Sequence, residues 1–372
     1  MIFDICIPLL INNNKQKQIG ENMTNLKKIG ISALAGSLVA MSAAVAGELT
    51  VSGGAKISYT NKGGAQQGAG AAGAGLAGVS GKGFGMQQNI AFNGSGELDN
   101  GFVVSLGHVA HSDAAGSSTS SITLDMGDMG VLTYAQGTAN IGFAKIDDVM
   151  PTAVEEASDG LGINSAQSAT GVAQGGTTYE ADMGGNGFDY AYAMDGLGSI
   201  NLGYSPGNVD TQTDDGQTTG AGANQDSGKS VHVVLDSLVD GLTVYAGTGE
   251  DGSNDVDVGA LTYAMGPITV GYQYTEIDVN TVAAAGVADS ERSQASIAFA
   301  INDNLSVSYG VIDTELDSTG GVNAVDEEIT GMGIGYSMGG MTFGAHHNKG
   351  KNMGATAQNE IEHTEVTLSL AF

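Results

Sequence analysis

Acidic side chains cluster in a long polar segment near the middle of the chain. They are Asp147, Asp148, Glu155, Glu156 and Asp159, with Lys145 beside them. Carboxylates gathered around a narrow passage attract cations and repel anions. The segment therefore predicts a cation-attracting surface, and the alternative is a solvated external loop over residues 147–159.

A second group of carboxylates consists of Asp251, Asp255 and Asp257, with Ser253 between the first two. Clustered carboxylates can bind Ca²⁺, but the remaining ligands of an EF-hand loop are missing from this sequence. We therefore interpret these residues as solvated acidic side chains, with weak Ca²⁺ binding as the alternative. No other cofactor is predicted.

The sequence offers no catalytic combination of Ser, His and Asp, or of Cys and His, in a supporting context. His346 and His347 are adjacent on a predicted strand, so their side chains face opposite ways and cannot chelate one metal together. Cys6 is the single cysteine, and it precedes the predicted mature chain. We predict that the protein is not an enzyme.

The composition narrows the class of protein further. A formal net charge of −29 disfavours nucleic acid as a partner, because binding it requires Lys and Arg to neutralise phosphates. The 60 glycines without a collagen period indicate turn-rich β structure or disorder. A hydrophobic content of 41% argues against wholesale disorder.

The N-terminal region predicts a secretory signal. Lys27 and Lys28 precede an apolar stretch rich in small residues, and Ala44-Val45-Ala46 fits a small-x-small cleavage site. We expect a signal peptide over residues 23–46, beginning at Met23, and a mature domain over residues 47–372. Residues 1–22 are interpreted as a non-native extension, in which an untranslated leader is read as protein.

The mature region alternates apolar and polar residues with a period of two, as half-buried strands do. In residues 49–60, for example, Leu49, Val51 and Ile57 fall on one face while Lys56 falls on the other. The segments run about ten residues, the length that a tilted strand needs to cross a bilayer. Aromatic residues recur near the segment ends, as interface girdles require.

The connections between these segments alternate between short and long. Seven short turns lie near residues 99–101, 127–130, 195–198, 240–241, 266–267, 302–304 and 339–340. Eight long polar segments cover about 61–83, 112–118, 138–186, 206–228, 250–254, 279–290, 315–327 and 349–360. Together they predict an all-β, antiparallel transmembrane barrel of about 16 strands, and residues 177–183 could add a strand. An even count with loops of two lengths is the outer-membrane pattern.

The sequence resembles the general porins of Gram-negative bacteria, particularly the alphaproteobacterial type. The resemblance covers residues 48–372 and rests on four features: Glu48-Leu49-Thr50-Val51-Ser52-Gly53, the pair of segments at 122–127 and 131–134, the long third loop, and the ending Val366-x-Leu368-x-Leu370-x-Phe372. It implies an outer-membrane location, a homotrimer, and a third loop folded into the pore as a constriction. It also implies that Val366, Leu368, Leu370 and Phe372 are read by the barrel-insertion machinery.

By this resemblance, the acidic group and Lys145 become the pore constriction, and Lys56 and Arg292 become its basic wall. The sequence departs from the family because Arg292 is its only arginine, which favours an acidic ring over a strong transverse field. The implied function is a water-filled, cation-selective channel for passive diffusion of small hydrophilic solutes and ions. The alternatives are a substrate-specific channel, a non-channel barrel or surface adhesin, and a secreted soluble β protein.

Overall fold

The computed structural model describes residues 48–67, 76–78, 80–111, 119–136, 141–146, 149–161, 186–206, 227–251, 254–279, 289–316, 325–353 and 357–372. The predicted extension, the signal peptide and residues 177–183 lie outside these ranges, so those three interpretations stay predictions. Within the ranges, no helix is long and apolar enough to span a membrane.

The described residues form seventeen strands, which we number in chain order. The first nine are β1 Glu48–Gln67, β2 Leu76–Gly78, β3 Gly81–Glu97, β4 Val103–His111, β5 Thr119–Asp125, β6 Val131–Gln136, β7 Asn186–Met194, β8 Gly198–Ser205 and β9 Gly228–Val239. The others are β10 Leu242–Asp251, β11 Asn254–Met265, β12 Ile268–Val279, β13 Ser290–Ala300, β14 Leu305–Leu316, β15 Glu327–Met338, β16 Met341–Lys351 and β17 Glu360–Ala371. Two short 3₁₀ turns cover Gly127–Met129 and Gly142–Lys145.

Sixteen of the described strands close into one antiparallel ring. Each pairs with its neighbour along the chain, and β1 pairs with both β3 and β17. The three-residue β2 pairs with the end of β1 in the same register as β3 and so extends that hairpin. At the seam, the backbone N–H of Gly53 donates to the carbonyl of Phe372 at 2.8 Å, and the N–H of Phe372 donates back at 3.0 Å. The predicted sixteen-stranded barrel is confirmed, and closure removes exposed sheet edges.

All seven predicted short turns join consecutive strands. Glycines with positive φ, which suit tight hairpins, occupy six of the seven, among them Gly101, Gly127, Gly241, Gly266 and Gly339, whereas Asn302-Asp303-Asn304 contains no glycine. The predicted first long loop, however, starts too early. β1 continues through Gln67 because it pairs with β17 as far as Ala65 and with β2 from Ala65 to Gln67, beyond its partners in β3.

The two faces of the ring differ in polarity. The outward face carries exposed apolar side chains, among them Ile57, Phe84, Ile297, Tyr309, Met332 and Phe343. The inner face carries buried polar side chains, among them Asp189, His232, Gln273, Gln294, His346, Asn348 and Thr367. An apolar exterior around a polar interior is the arrangement of a barrel that stands in lipid.

Candidate functional site

A stretch of non-repetitive chain packs against the inner face of β12 to β17. It covers residues 149–161 and is called the docked segment below. It follows the 3₁₀ turn Gly142–Lys145 and precedes β7 in the chain, so it belongs to the predicted third loop. It contains Glu155, Glu156 and Asp159, three of the predicted acidic residues, whereas Asp147 and Asp148 lie outside the described residues.

Glycines on the inner face leave room for the docked segment. A Cβ atom on Gly331 would lie 2.5 Å from Cα of Ala157, and one on Gly335 would lie 2.5 Å from the carbonyl oxygen of Ala153. Gly271 is similar, with the ring of Pro151 at 2.5 Å from such an atom. Glycine in a strand interior often marks the close approach of another backbone, and two strands of the wall, β12 and β15, show it here.

Polar contacts fix the backbone of the segment. The N–H of Ala153 donates to Oγ of Ser308 at 2.9 Å. Nδ2 of Asn348 donates to two carbonyl oxygens, that of Glu156 at 3.0 Å and that of Asp159 at 2.9 Å. Because Asn348 is buried, these bonds satisfy both of its amide hydrogens away from water.

An apolar cluster holds the end of the segment. Leu161 packs with Ile312, Ile329, Met353 and Ile361, all buried, and Ala157 lies against them. Burying one such aliphatic side chain contributes about 1.5–3 kcal/mol. Ile312, Ile329 and Ile361 thus give the inner face an apolar surface where the end of the docked segment lies.

Lys56, predicted to lie on the basic wall, contacts a predicted constriction residue. Its Nζ lies 3.0 Å from Oε1 of Glu155, and both side chains are partly exposed. Lys56 sits on β1 opposite Ser369 of β17, on the same inner face. The ion pair therefore joins a cation of the barrel wall to a carboxylate of the docked segment.

Lys145 pairs with a carboxylate that the sequence interpretation missed. Its Nζ contacts Oδ2 of Asp189, an almost fully buried side chain on β7. The other oxygen of Asp189 accepts a hydrogen bond from the N–H of Gly142 at 3.2 Å. The inward parity of Asp189 on its strand was the available sequence signal, but its partner follows only from the fold.

Arg292 lies on the inner side of β13, in register with Thr275 and Thr314 on the neighbouring strands. Its side chain is only 2% exposed. Among the described residues, none accepts a hydrogen bond from its guanidinium. It is therefore a buried cation of the wall, five strands along the ring from Lys56 on β1.

Two histidines and one carboxylate meet where the docked segment crosses β16 and β17. Nε2 of His346 lies 3.1 Å from Oδ2 of Asp159 and 3.3 Å from Nδ1 of His363. Oε2 of Glu365 is 4.0 Å from the same Nε2. Burial raises the pKa of Asp159, but the hydrogen bond and charge of His346 outweigh it, so the net shift is downward.

Sequence reasoning considered His346 only with its neighbour His347. The structure confirms that these two point apart, since His346 is buried on the inner face and His347 bonds Oγ1 of Thr364 on the outer face. The actual partner, His363, is on the next strand. Finding it requires the register that places Asn348 opposite His363 and His346 opposite Glu365.

The predicted Ca²⁺ ligands lie away from this region. Asp255 and Asp257 are exposed on β11, and the buried Val256 and Val258 point to the other side. Weak Ca²⁺ binding there stays a prediction. The predicted insertion signal occupies β17 and the terminal residue, with Val366, Leu368, Leu370 and Phe372 on the outward face.

The comparisons with known proteins agree with this architecture. A family model described as Gram-negative porin matches residues 30–342. No match was found among curated proteins. Two mutants of the Rhodopseudomonas blastica porin are 14% identical, cover 87% of this chain and all of their own, and superpose with a TM-score of 0.54. A porin refined at 1.8 Å has 15% identity, the same coverage of both chains and a TM-score of 0.52.

Proposed function

The chain belongs to the Gram-negative porin family, and on that premise we propose that it forms a cation-selective diffusion channel for ions and small hydrophilic solutes in the outer membrane. The observation that carries the proposal is the docked segment, which presents Glu155, Glu156 and Asp159 along the inner face of the wall. A segment that crosses the interior of a barrel narrows the route for solutes at its own position.

The balance of charge around the segment supports selectivity for cations. In the region that the structure describes there, five carboxylates outnumber three cations. The carboxylates are those of Glu155, Glu156, Asp159, Glu327 and Glu365, and the cations are Lys56, Lys62 and Arg292. Carboxylates in a passage attract cations and repel anions. The Debye length is about 8 Å at physiological salt, so these charges act across a passage only where it is narrow.

The polar inner face favours general diffusion over a specific sugar path. Exposed aromatic side chains such as Phe84, Phe299, Tyr309 and Tyr336 lie on the outward face, where they contact lipid rather than solute. Stacking of sugars would need aromatic rings along the inside. The channel is therefore proposed to select by charge and size.

Planar-bilayer recording under a salt gradient tests the proposal. Replacing Glu155 and Glu156 together by Gln removes two carboxylates from the docked segment, and the ratio of cation to anion permeability should fall several-fold. The matched control replaces Asp255 and Asp257 by Asn, which removes the same charge from the outside of β11 and should leave the ratio unchanged. An equal permeability ratio in the wild type, the Glu155/Glu156 variant and the control would overturn the proposed role of the docked segment in cation selectivity. Absence of conductance from folded protein would instead favour a non-channel barrel or an adhesin.

We also propose three copies per assembly, targeting by the signal peptide of residues 23–46, and insertion through recognition of the strand that ends in Phe372. These proposals rest on the family and on the exposed apolar outer face. Mass measurement of the barrel in a gentle detergent tests the trimer, and a single-copy mass would contradict it. N-terminal sequencing of the membrane-inserted protein tests the cleavage after Ala46.

A further inference from the structure

We propose that His346, His363 and Asp159 bind one divalent transition-metal ion of the zinc class, which joins the docked segment to the barrel wall. One ligand atom from each residue lies within 4.8 Å of the other two. The residues come from three separate parts of the chain, β16, β17 and the docked segment. The inference concerns this junction alone and does not depend on the ion selectivity of the channel.

Two of the three separations between ligand atoms are close to those of a metal centre, and the third is within 4.8 Å. With bonds of about 2.0–2.2 Å to the metal, the ligand atoms of a tetrahedral zinc site lie roughly 3.3–3.6 Å apart. Here Nε2 of His346 is 3.1 Å from Oδ2 of Asp159 and 3.3 Å from Nδ1 of His363. Small movements of these side chains open the space for one ion.

Hydrogen bonds alone do not account for the close approach of these three side chains. Nε2 of His346 faces both a carboxylate and a second imidazole nitrogen, and a neutral imidazole has a single N–H to donate. A metal ion in place of the shared proton would engage all three facing atoms at once.

The surroundings hold the three groups in place. Gly160 has a φ of +74°, and a Cβ atom there would lie 2.0 Å from Nδ1 of His363, so a side chain at this position would occupy the junction. Asn348 fixes the backbone of Asp159 by its bond to that carbonyl at 2.9 Å. Such supporting contacts orient metal ligands and are worth about 10–100-fold in affinity.

The donor set selects the class of metal. Two imidazoles with a carboxylate suit zinc and its neighbours, whereas Ca²⁺ and Mg²⁺ prefer sites built from oxygen alone. Glu365, 4.0 Å from Nε2 of His346, is placed to supply a fourth ligand or to accept from a bound water. The side chain of Asp159 is 42% exposed while that of His346 is 1% exposed, so the ion would enter from the interior of the barrel.

Calorimetric titration of the refolded, chelator-treated barrel with ZnCl₂ tests the site, and Co²⁺ absorption reports its geometry. We expect one ion per chain, the visible bands of four-coordinate Co²⁺ with histidine ligands, and no competition from millimolar Ca²⁺. His346→Gln and His363→Gln should each weaken Zn²⁺ binding by about 100-fold, at least the loss that follows removal of a supporting contact. The matched control is His347→Gln, the adjacent histidine on the opposite face, which should bind as the wild type does.

Asp159→Asn supplies a second test that leaves the barrel wall untouched, so it remains informative if a histidine variant fails to fold. It should also weaken binding and alter the Co²⁺ spectrum. Zn²⁺ should change the open-channel current of the wild type and of His347→Gln but not that of His363→Gln. Zinc binding that survives the His346→Gln/His363→Gln double substitution, or that Ca²⁺ displaces, would overturn the proposal, as would an absence of binding to the wild type.

Discussion

Nζ of Lys56 lies 3.0 Å from Oε1 of Glu155, so a cation of the first strand is joined to the docked segment 99 residues later in the chain. Both side chains remain about one-third exposed. An ion pair in that setting contributes little to stability, about 0–1 kcal/mol. Its larger effect is on the charge of the interior, because Lys56 offsets one of the carboxylates there.

Replacement of Lys56 by Met should therefore increase cation selectivity. Glu155 keeps its negative charge and loses its partner, so the ratio of cation to anion permeability should rise about two-fold or more while the melting temperature changes little. Lys349→Met is the control, since Lys349 pairs with Glu362 on the outward face at 2.8 Å. Reversal potentials measured for both variants test this prediction. An equal shift in both would mean that the location of Lys56 beside Glu155 has no special effect on selectivity.

Gly331→Ala should displace the docked segment. The new methyl group would lie 2.5 Å from Cα of Ala157, and a backbone atom cannot move aside as a flexible side chain does. Overpacking of this kind costs about 1–3 kcal/mol, and the displaced segment should change the single-channel conductance. Denaturant unfolding and bilayer recording measure the two effects.

The control for this substitution is Gly259→Ala on β11. A Cβ atom at Gly259 would meet nothing within 4 Å, so the same chemical change should leave both stability and conductance close to those of the wild type. If Gly331→Ala behaved in the same way, the segment would not be held as close to the wall as these distances require.

The barrel could be predicted from the sequence because the signals for its strands and turns lie within short stretches of the chain. Alternation with a period of two assigns each side chain to a face, and turn residues such as Gly101 and Gly241 mark where strands reverse. Inward placement of Lys56 follows from that parity. The end of β1 was misjudged because residues 61–67 have little apolar alternation, and their pairing with β17 is a long-range contact.

The contacts of the docked segment could not be predicted in the same way. The acidic residues Glu155 and Asp159 were identified from composition, but their partners are far away in the chain. Lys56 precedes Glu155 by 99 residues, and His346 follows Asp159 by 187 (346 − 159). His346 meets His363 because of the register between β16 and β17. The alternation of apolar and polar residues does not determine that register. The glycines Gly331 and Gly335 carried a usable signal, since inward glycines within strands mark close backbone approach.

Leu161→Ala should release the end of the docked segment without unfolding the barrel. Leu161 is fully buried among Ile312, Ile329 and Ile361, and its truncation leaves a cavity worth about 2–5 kcal/mol. Because the ring itself is held by strand pairing, the loss should appear as faster amide hydrogen exchange in residues 157–161. Leu197→Ala, in a partly exposed turn, is the control and should leave that exchange unchanged.

Lys145→Met should destabilise the protein more than any exposed ion pair can. Asp189 is 1% exposed, and its carboxylate contacts Nζ of Lys145 and the N–H of Gly142. Removing one partner of a fully buried pair costs about 3–5 kcal/mol, because the remaining charge stays buried without compensation. The side chain of Lys145 is itself 30% exposed, so we expect a smaller loss here, but one larger than an exposed pair gives. Lys145→Met/Asp189→Asn should recover much of that loss, since the uncompensated charge is then gone.

Lys229→Met breaks the exposed pair with Glu250 and should cost less than about 1 kcal/mol. Denaturant unfolding of the four proteins gives these differences, and equal losses for the two lysine variants would mean that water reaches Asp189.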